Sequence, residues 1–120
     1  METKKRILYI QTSDVPERQY SPLVLAQTAK AMDIDAQVYY LGQALRVLRP
    51  DDAATIKIGA FPSLLEMITK TMEMGIKIYV CEASKSMLGW DKVELIPGLK
   101  VVGAGTLNDL VLDASATMWF

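Results

Sequence analysis

Apolar positions along this chain alternate between short extended runs and helical stripes. Arg6 to Thr12, "RILYIQT", is a β-rich apolar run behind a basic lead and predicts a first strand. The polar loop "SDVPERQYSP" follows, with Ser21 placed to cap a helix and Pro22 to take its first position. Leu25, Ala29 and Met32 then recur at helical spacing, and "AQVYYL" (Ala36 to Leu41) predicts a second strand that Gly42 ends. Gln43 to Ala60 is the least regular stretch. "QALRVL" fits a short helical turn that Arg49-Pro50 breaks, and "DDAATIKIG" reads as a weak extended piece or loop. A segment of this length is better explained as an ordered functional or oligomer-contacting loop than as slack.

Periodicity returns with Pro62 to Met74. Phe61, Leu64, Leu65, Ile68 and Met72 share one helical face, and Gly75 stops the helix. Ile76 to Val80 predicts a third strand, Ser84 to Leu88 a short helix, and Lys100 to Val102 a fourth strand after the Pro97-Gly98 turn. Thr106 is placed to cap a helix through Ala114, with Leu107, Leu110, Val111 and Ala114 inward, and "ATMWF" predicts a fifth strand. Strands alternating with helices imply an α/β fold: a three-layer α/β/α sandwich around a mostly parallel five-stranded sheet. Crossovers should be right-handed. No internal repeat, low-complexity tract or linker interrupts the pattern.

Composition narrows the function. The chain has 120 residues, 51% of them hydrophobic and 22% charged, which suits a single domain over residues 1–120 with a buried core. Its net charge is −1 with no basic block, which argues against nucleic-acid binding. No apolar run nears the roughly 20 residues needed to span a bilayer, and "METKKR" does not lead into a signal-peptide core. The expectation is a soluble cytoplasmic protein. Histidine is absent and Cys81 is the only cysteine, so zinc sites, Cys-His dyads and Ser-His-Asp triads lack their groups. No cofactor or metal is expected.

In parallel sheets, sites gather at the carboxyl ends of the strands. Cys81 ends the third strand and meets a helix start, whose N–H groups would favour a thiolate. Lys85 is placed to add positive charge one turn on, and Glu82 opposes it. A buried structural cysteine has the same sequence signature, so topology leaves both roles open. "VVGAGTLND" is a second candidate: a glycine-containing turn feeding a helix, suited to a sulfonate, thiosulfate or phosphate. It falls short of G-x-G-x-x-G because Asn108 replaces the third glycine, and such turns usually take glycine for geometry alone. Asp14, Arg18 and Tyr20 could line the same rim, although each taken singly reads as a solvated loop residue.

Two stretches taken together carry a resemblance. "VCEASKSMLGW", then "LIPGLKVVGAGTLNDLVLDASATMWF", resembles the C-terminal half of the DsrE/DsrF-like sulfur-relay family. It is similar to the branch reading A-C-x-M-S-M-x-L-M-G, L-I-x-G-V, V-G-G-V-A-T-x-L-x-L-A and A-D-x-T-L-F. Cys81, Ser84, Leu88, Gly89, Leu95, Ile96, Gly98, Val102, Gly103, Thr106, Leu107 and Ala114 to Phe120 match in order, over about 40 residues. The first half agrees only in the order of strands and helices. The M-S-M stretch is not kept, since Ala83, Ser84 and Lys85 stand there.

The resemblance implies a flavodoxin-like, DsrE-like domain that forms homo-oligomers (trimer, tetramer or hexamer). It implies that Cys81 carries sulfur as a persulfide or thiosulfonate. Glu82, Ser84 and Lys85, with Gly103, Ala104, Gly105 and Thr106, would line the binding site. TusA-like or rhodanese-type carriers and small sulfur anions (thiosulfate, polysulfide) would be its partners. One thiol suffices, because a partner thiolate can release the sulfur. The alternative is a non-catalytic oligomeric module of the same fold that binds a small anion or nucleotide around a buried cysteine. A flavodoxin-like cofactor binder ranks lower, because "SDVPERQYS" lacks a hydroxyl-rich phosphate loop. Apolar "MWF" and the Met67 to Met74 region are the expected subunit contacts.

Overall fold

Five strands and five α-helices make up the computed structural model, which describes residues 4–120. The strands are β1 (Arg6–Gln11), β2 (Asp35–Tyr40), β3 (Lys77–Cys81), β4 (Lys100–Val102) and β5 (Ala116–Trp119). The helices are α1 (Tyr20–Ala31), α2 (Pro50–Thr55), α3 (Leu64–Glu73), α4 (Glu82–Met87) and α5 (Ala104–Asp113). The sheet runs β4-β3-β2-β1-β5, and every pairing is parallel. The α/β/α sandwich expected from the sequence is therefore present, with the sheet wholly rather than mostly parallel.

Chain path decides which helix covers which face. From β1 to β4 the strands are added in one direction, and right-handed crossovers place their connections on one face. The return from β4 to β5 crosses the whole sheet, which sends α5 to the opposite face. Packing follows that division. Leu23, Ala26 and Ala29 of α1, Leu64 and Ile68 of α3, and Ala44, Leu45, Leu48 and Ala53 join Tyr9, Val38, Tyr40, Ile78 and Val80 in the main core. On the other face Leu8, Ile10, Tyr39 and Cys81 meet only half-buried residues, among them Leu107, Leu110, Val111 and Ala114 of α5. Central β2 is buried on both sides from Ala36 to Tyr40. The edge strands β4 and β5 are short and largely exposed.

Several boundaries differ from the sequence-based expectation. Helix α1 starts at Tyr20, with Gln19 rather than Ser21 at the N-cap, because a 3-10 turn over Pro16–Arg18 leads directly into it. The stretch expected as loop after Arg49 is the helix α2. Pro50 occupies its first turn, where no N–H is needed, and Asp51 and Asp52 complement the dipole there. A 3-10 turn over Gly42–Val47 precedes it. Helix α5 begins at Ala104 behind Gly103, so Thr106 lies inside the first turn and does not cap it. Ser63 caps α3 through the Glu66 N–H, and Gly75, at φ +84°, allows the left-handed exit that ends it. Met67 packs into the main core, and Met72 and Met74 pack against it.

Candidate functional site

The strand ends at β3 and β4 form the switch point of the sheet. Beyond β3 the chain turns to the main-core face, where Leu88, Leu95, Ile96 and Leu99 pack and the Ile96 N–H bonds the Leu48 carbonyl at 2.9 Å. Beyond β4 it turns to the opposite face as α5. Connections that leave adjacent strands for opposite faces open a crevice at their carboxyl ends, which is where ligands bind in such sheets. Cys81 stands at this point, paired in register with Val102, one residue before Gly103. The Cys81 and Gly103-to-Thr106 candidates are thereby brought to neighbouring strand ends.

Cys81 closes β3 and is the N-cap residue of α4. Its side chain faces the α5 side of the sheet and is only 3% exposed, so the thiol is buried within the chain. Burial has the largest influence and pushes the thiol pKa up. Against it, the Ser84 hydroxyl, the Ser84 N–H, the Tyr39 hydroxyl and the Ala83 N–H all favour the thiolate, and they leave the thiol below its ordinary value. The first turn of α4 supplies the two N–H groups, as the sequence suggested for a helix start.

Ser84 is held by a contact the sequence did not reveal. Its Oγ accepts a hydrogen bond from the Gly42 N–H at 2.7 Å. With that lone pair engaged, the hydroxyl proton is free to point to sulfur. Gly42 sits at φ +64°, in the left-handed region, so glycine at the end of β2 aims its N–H across to α4. Tyr39 is the second group that sequence reasoning missed. Its ring stacks beside Tyr79 with centroids 6.4 Å apart, and its side chain has no exposed surface. Burial, then the neighbouring sulfur, push its hydroxyl pKa up. Period-two alternation along β2 puts Tyr39 on the Cys81 face and Tyr40 on the main-core face. That alternation was readable in the sequence, but the pairing of β2 with β3 was not.

The remaining candidates are placed as follows. Glu82 is exposed on the first turn of α4. Lys85 donates to the Asp91 carbonyl at 3.3 Å, a contact with the loop after α4. Gly103, Ala104 and Gly105 are exposed at the start of α5, and the Thr106 N–H already bonds the Gly103 carbonyl at 3.1 Å. Tyr20 does not line the rim. It is buried in the main core and donates to the Pro62 carbonyl at 2.8 Å. A groove of about 400 Å³ between Tyr20, Val24, Leu25, Ile58 and Phe61 lies on that far face. Its lining is chiefly apolar, whereas the donors that alter a nucleophile converge at β3.

A model of the DsrE/DsrF-like family matches residues 5–120. Among curated proteins, the uncharacterized protein MJ0760 of Methanocaldococcus jannaschii is 27% identical over 104 residues, covering 86% of this chain. The chain spans only 38% of that relative's length. Among solved structures, the ychN protein of E. coli superposes with a TM-score of 0.77 at 17% identity, over 98% of this chain and all of that one. The MTH1491 protein of Methanobacterium thermoautotrophicum superposes at 0.78 with 16% identity, again over 98% of this chain and all of that one. At these identities the likeness to solved structures is one of fold. Among the described residues, no helix is long and apolar enough to cross a membrane.

Proposed function

The chain belongs to the DsrE/DsrF-like family, and from that premise we propose that it works in sulfur relay, with Cys81 as the atom that accepts and passes on sulfur. The observation that carries this reading is the place of the one thiol: it ends β3 at the switch point, is the N-cap residue of α4 and shares a buried cluster with Tyr39. Against its burial, the hydroxyl and N–H of Ser84, the Tyr39 hydroxyl and the Ala83 N–H hold its pKa down. A cysteine kept only for packing needs none of them. A thiolate needs several, because a buried charge without hydrogen bonds is strongly disfavoured.

In the first step the Cys81 thiolate attacks the outer sulfur of a donor persulfide. The new S–S bond gives the Cys81 persulfide, and the donor leaves as its thiolate. With thiosulfate the same attack forms the persulfide anion and releases sulfite. In the second step an acceptor thiolate, on a TusA-like or rhodanese-type partner, attacks the outer sulfur and restores the Cys81 thiolate. No second cysteine in the chain is required. Whether described as a carrier or a sulfurtransferase, the protein holds sulfur between partners. Incubation with polysulfide followed by intact-mass measurement should add sulfur to the wild type and none to Cys81→Ser. Equal addition to both would remove the proposal.

Burial of Cys81 favours a second reading, a homo-oligomeric binding module in which the thiol only packs. Exposed Val101, Leu112, Met118 and Trp119 on β4, α5 and β5 support assembly under either reading. Native thiol titration separates the two readings: a carrier reacts with small reagents before unfolding, and a packed thiol reacts only after it.

A further inference from the structure

Tyr39 and Tyr40 are adjacent, both have fully buried side chains, and neither hydroxyl completes an aligned hydrogen bond among the described residues. A buried hydroxyl without a partner is costly, and such groups in native folds call for an explanation. The two differ in what they face. Tyr40 points into the main core among aliphatic side chains, whereas Tyr39 shares the opposite face with Cys81, the one nucleophile in the chain. Resting on the carrier reading for its second half, we infer that the Tyr39 hydroxyl is a hydrogen-bond donor kept for the anionic forms of sulfur at position 81: first the thiolate, then the outer sulfur of the persulfide.

A neutral thiol is a weak acceptor, so the hydroxyl stays poorly satisfied in the resting protein. A thiolate or persulfide anion is a strong acceptor, and the same hydroxyl then makes a charge-assisted bond. The interaction therefore strengthens as negative charge appears on sulfur. The ionisable and charged groups on the surrounding elements are few. Tyr79 stands beside Tyr39 on the sheet, and Glu82 and Lys85 lie on α4, with Lys85 bonded to the Asp91 carbonyl. Helix α5 presents Leu107, Leu110, Val111 and Ala114 to this face. No charged side chain on it competes with Tyr39 as donor.

Tyr39→Phe removes the hydroxyl and keeps the ring, and Tyr40→Phe removes an equally buried hydroxyl on the other face as a matched control. Circular dichroism should show both variants folded, since neither loses an aligned hydrogen bond. The thiol titration is followed by ultraviolet thiolate absorbance, with each variant's Cys81→Ser form as blank, so that a buried thiol is still read. In Tyr39→Phe the midpoint should rise by about one pH unit, a roughly tenfold loss of thiolate at a fixed pH below it. Tyr40→Phe should titrate as wild type. In the polysulfide-loaded proteins, Tyr39→Phe should lose its sulfur to a small thiol several-fold more slowly, because the Cys81 thiolate that must leave has the higher pKa. A titration of Tyr39→Phe that superimposes on wild type, or an equal shift in Tyr40→Phe, would overturn the inference. If the midpoint shifts but the wild type never takes up sulfur, the carrier reading falls while Tyr39 stands as the donor to the thiolate.

Discussion

The two faces of the sheet are made by the same strands but are finished differently. One carries α1, α3, α2 and the Gly42–Val47 turn, and its core residues are almost wholly removed from water. The other is crossed by α5 alone, which has no fully buried residue and leaves Leu112 at 84% exposure. The difference follows from topology, because three crossovers land on the first face and a single return stroke on the second. It also separates stability from chemistry. The well-packed face holds the domain together, and the thin face holds the thiol, Tyr39 and the exposed side chains of Leu112 and Trp119.

The contrast breaks most plainly under truncation. Ile68→Ala, on α3, should lose about 2–5 kcal/mol of unfolding free energy, since its side chain is fully buried. Leu110→Ala, on α5 and half-buried, should lose about 1–2 kcal/mol in dilute solution. Urea denaturation measures both, and equal losses would erase the distinction between the faces. Gly42→Ala comes next, at about 1–2 kcal/mol, because its φ of +64° disfavours any Cβ. That change should also raise the thiol titration midpoint by shifting the N–H that holds Ser84.

Smaller effects sharpen the comparison on the thin face. Trp119→Glu should alter unfolding free energy in dilute solution by less than about 0.5 kcal/mol, since the ring is 56% exposed. Light scattering should nevertheless report a lower particle mass than wild type. An unchanged mass would count against β5 as a subunit contact. The smallest effect is in pH dependence. Cys81 titrates below its unfolded value of 9.0, so between its folded pKa and 9.0 the unfolded chain binds more protons. Stability should rise with pH across that window and be lost as pH falls through the folded pKa. Cys81→Ser should flatten the rise, as denaturation at a series of pH values would show.

Much of the plan was legible in the chain. Helical and strand periods located all five strands and α1, α3 and α5 to within a few residues, because each element buries a regular face. Helix α2 was missed, as Pro50 was read as a breaker when it was a first-turn residue. The helix start at Cys81 was legible, but the contact of Lys85 with the Asp91 carbonyl was not, because it depends on the fold of the following loop. Tyr39 and Gly42 were overlooked for a like reason: Tyr39 of β2 lies beside Cys81 of β3, and Gly42, in the turn after β2, bonds Ser84 of α4, each pair far apart in the chain.

The sequence by itself determined the α/β class, the position of the one thiol at a strand end and the want of any histidine to assist it. These are local properties, set by side-chain period and residue type. Tertiary structure alone decided the strand order, and with it the switch point between β3 and β4, the burial of Cys81 and the convergence of Tyr39 and Ser84 on its sulfur. Strand order reflects which faces pack together over long chain separations, and no short-range pattern encodes it.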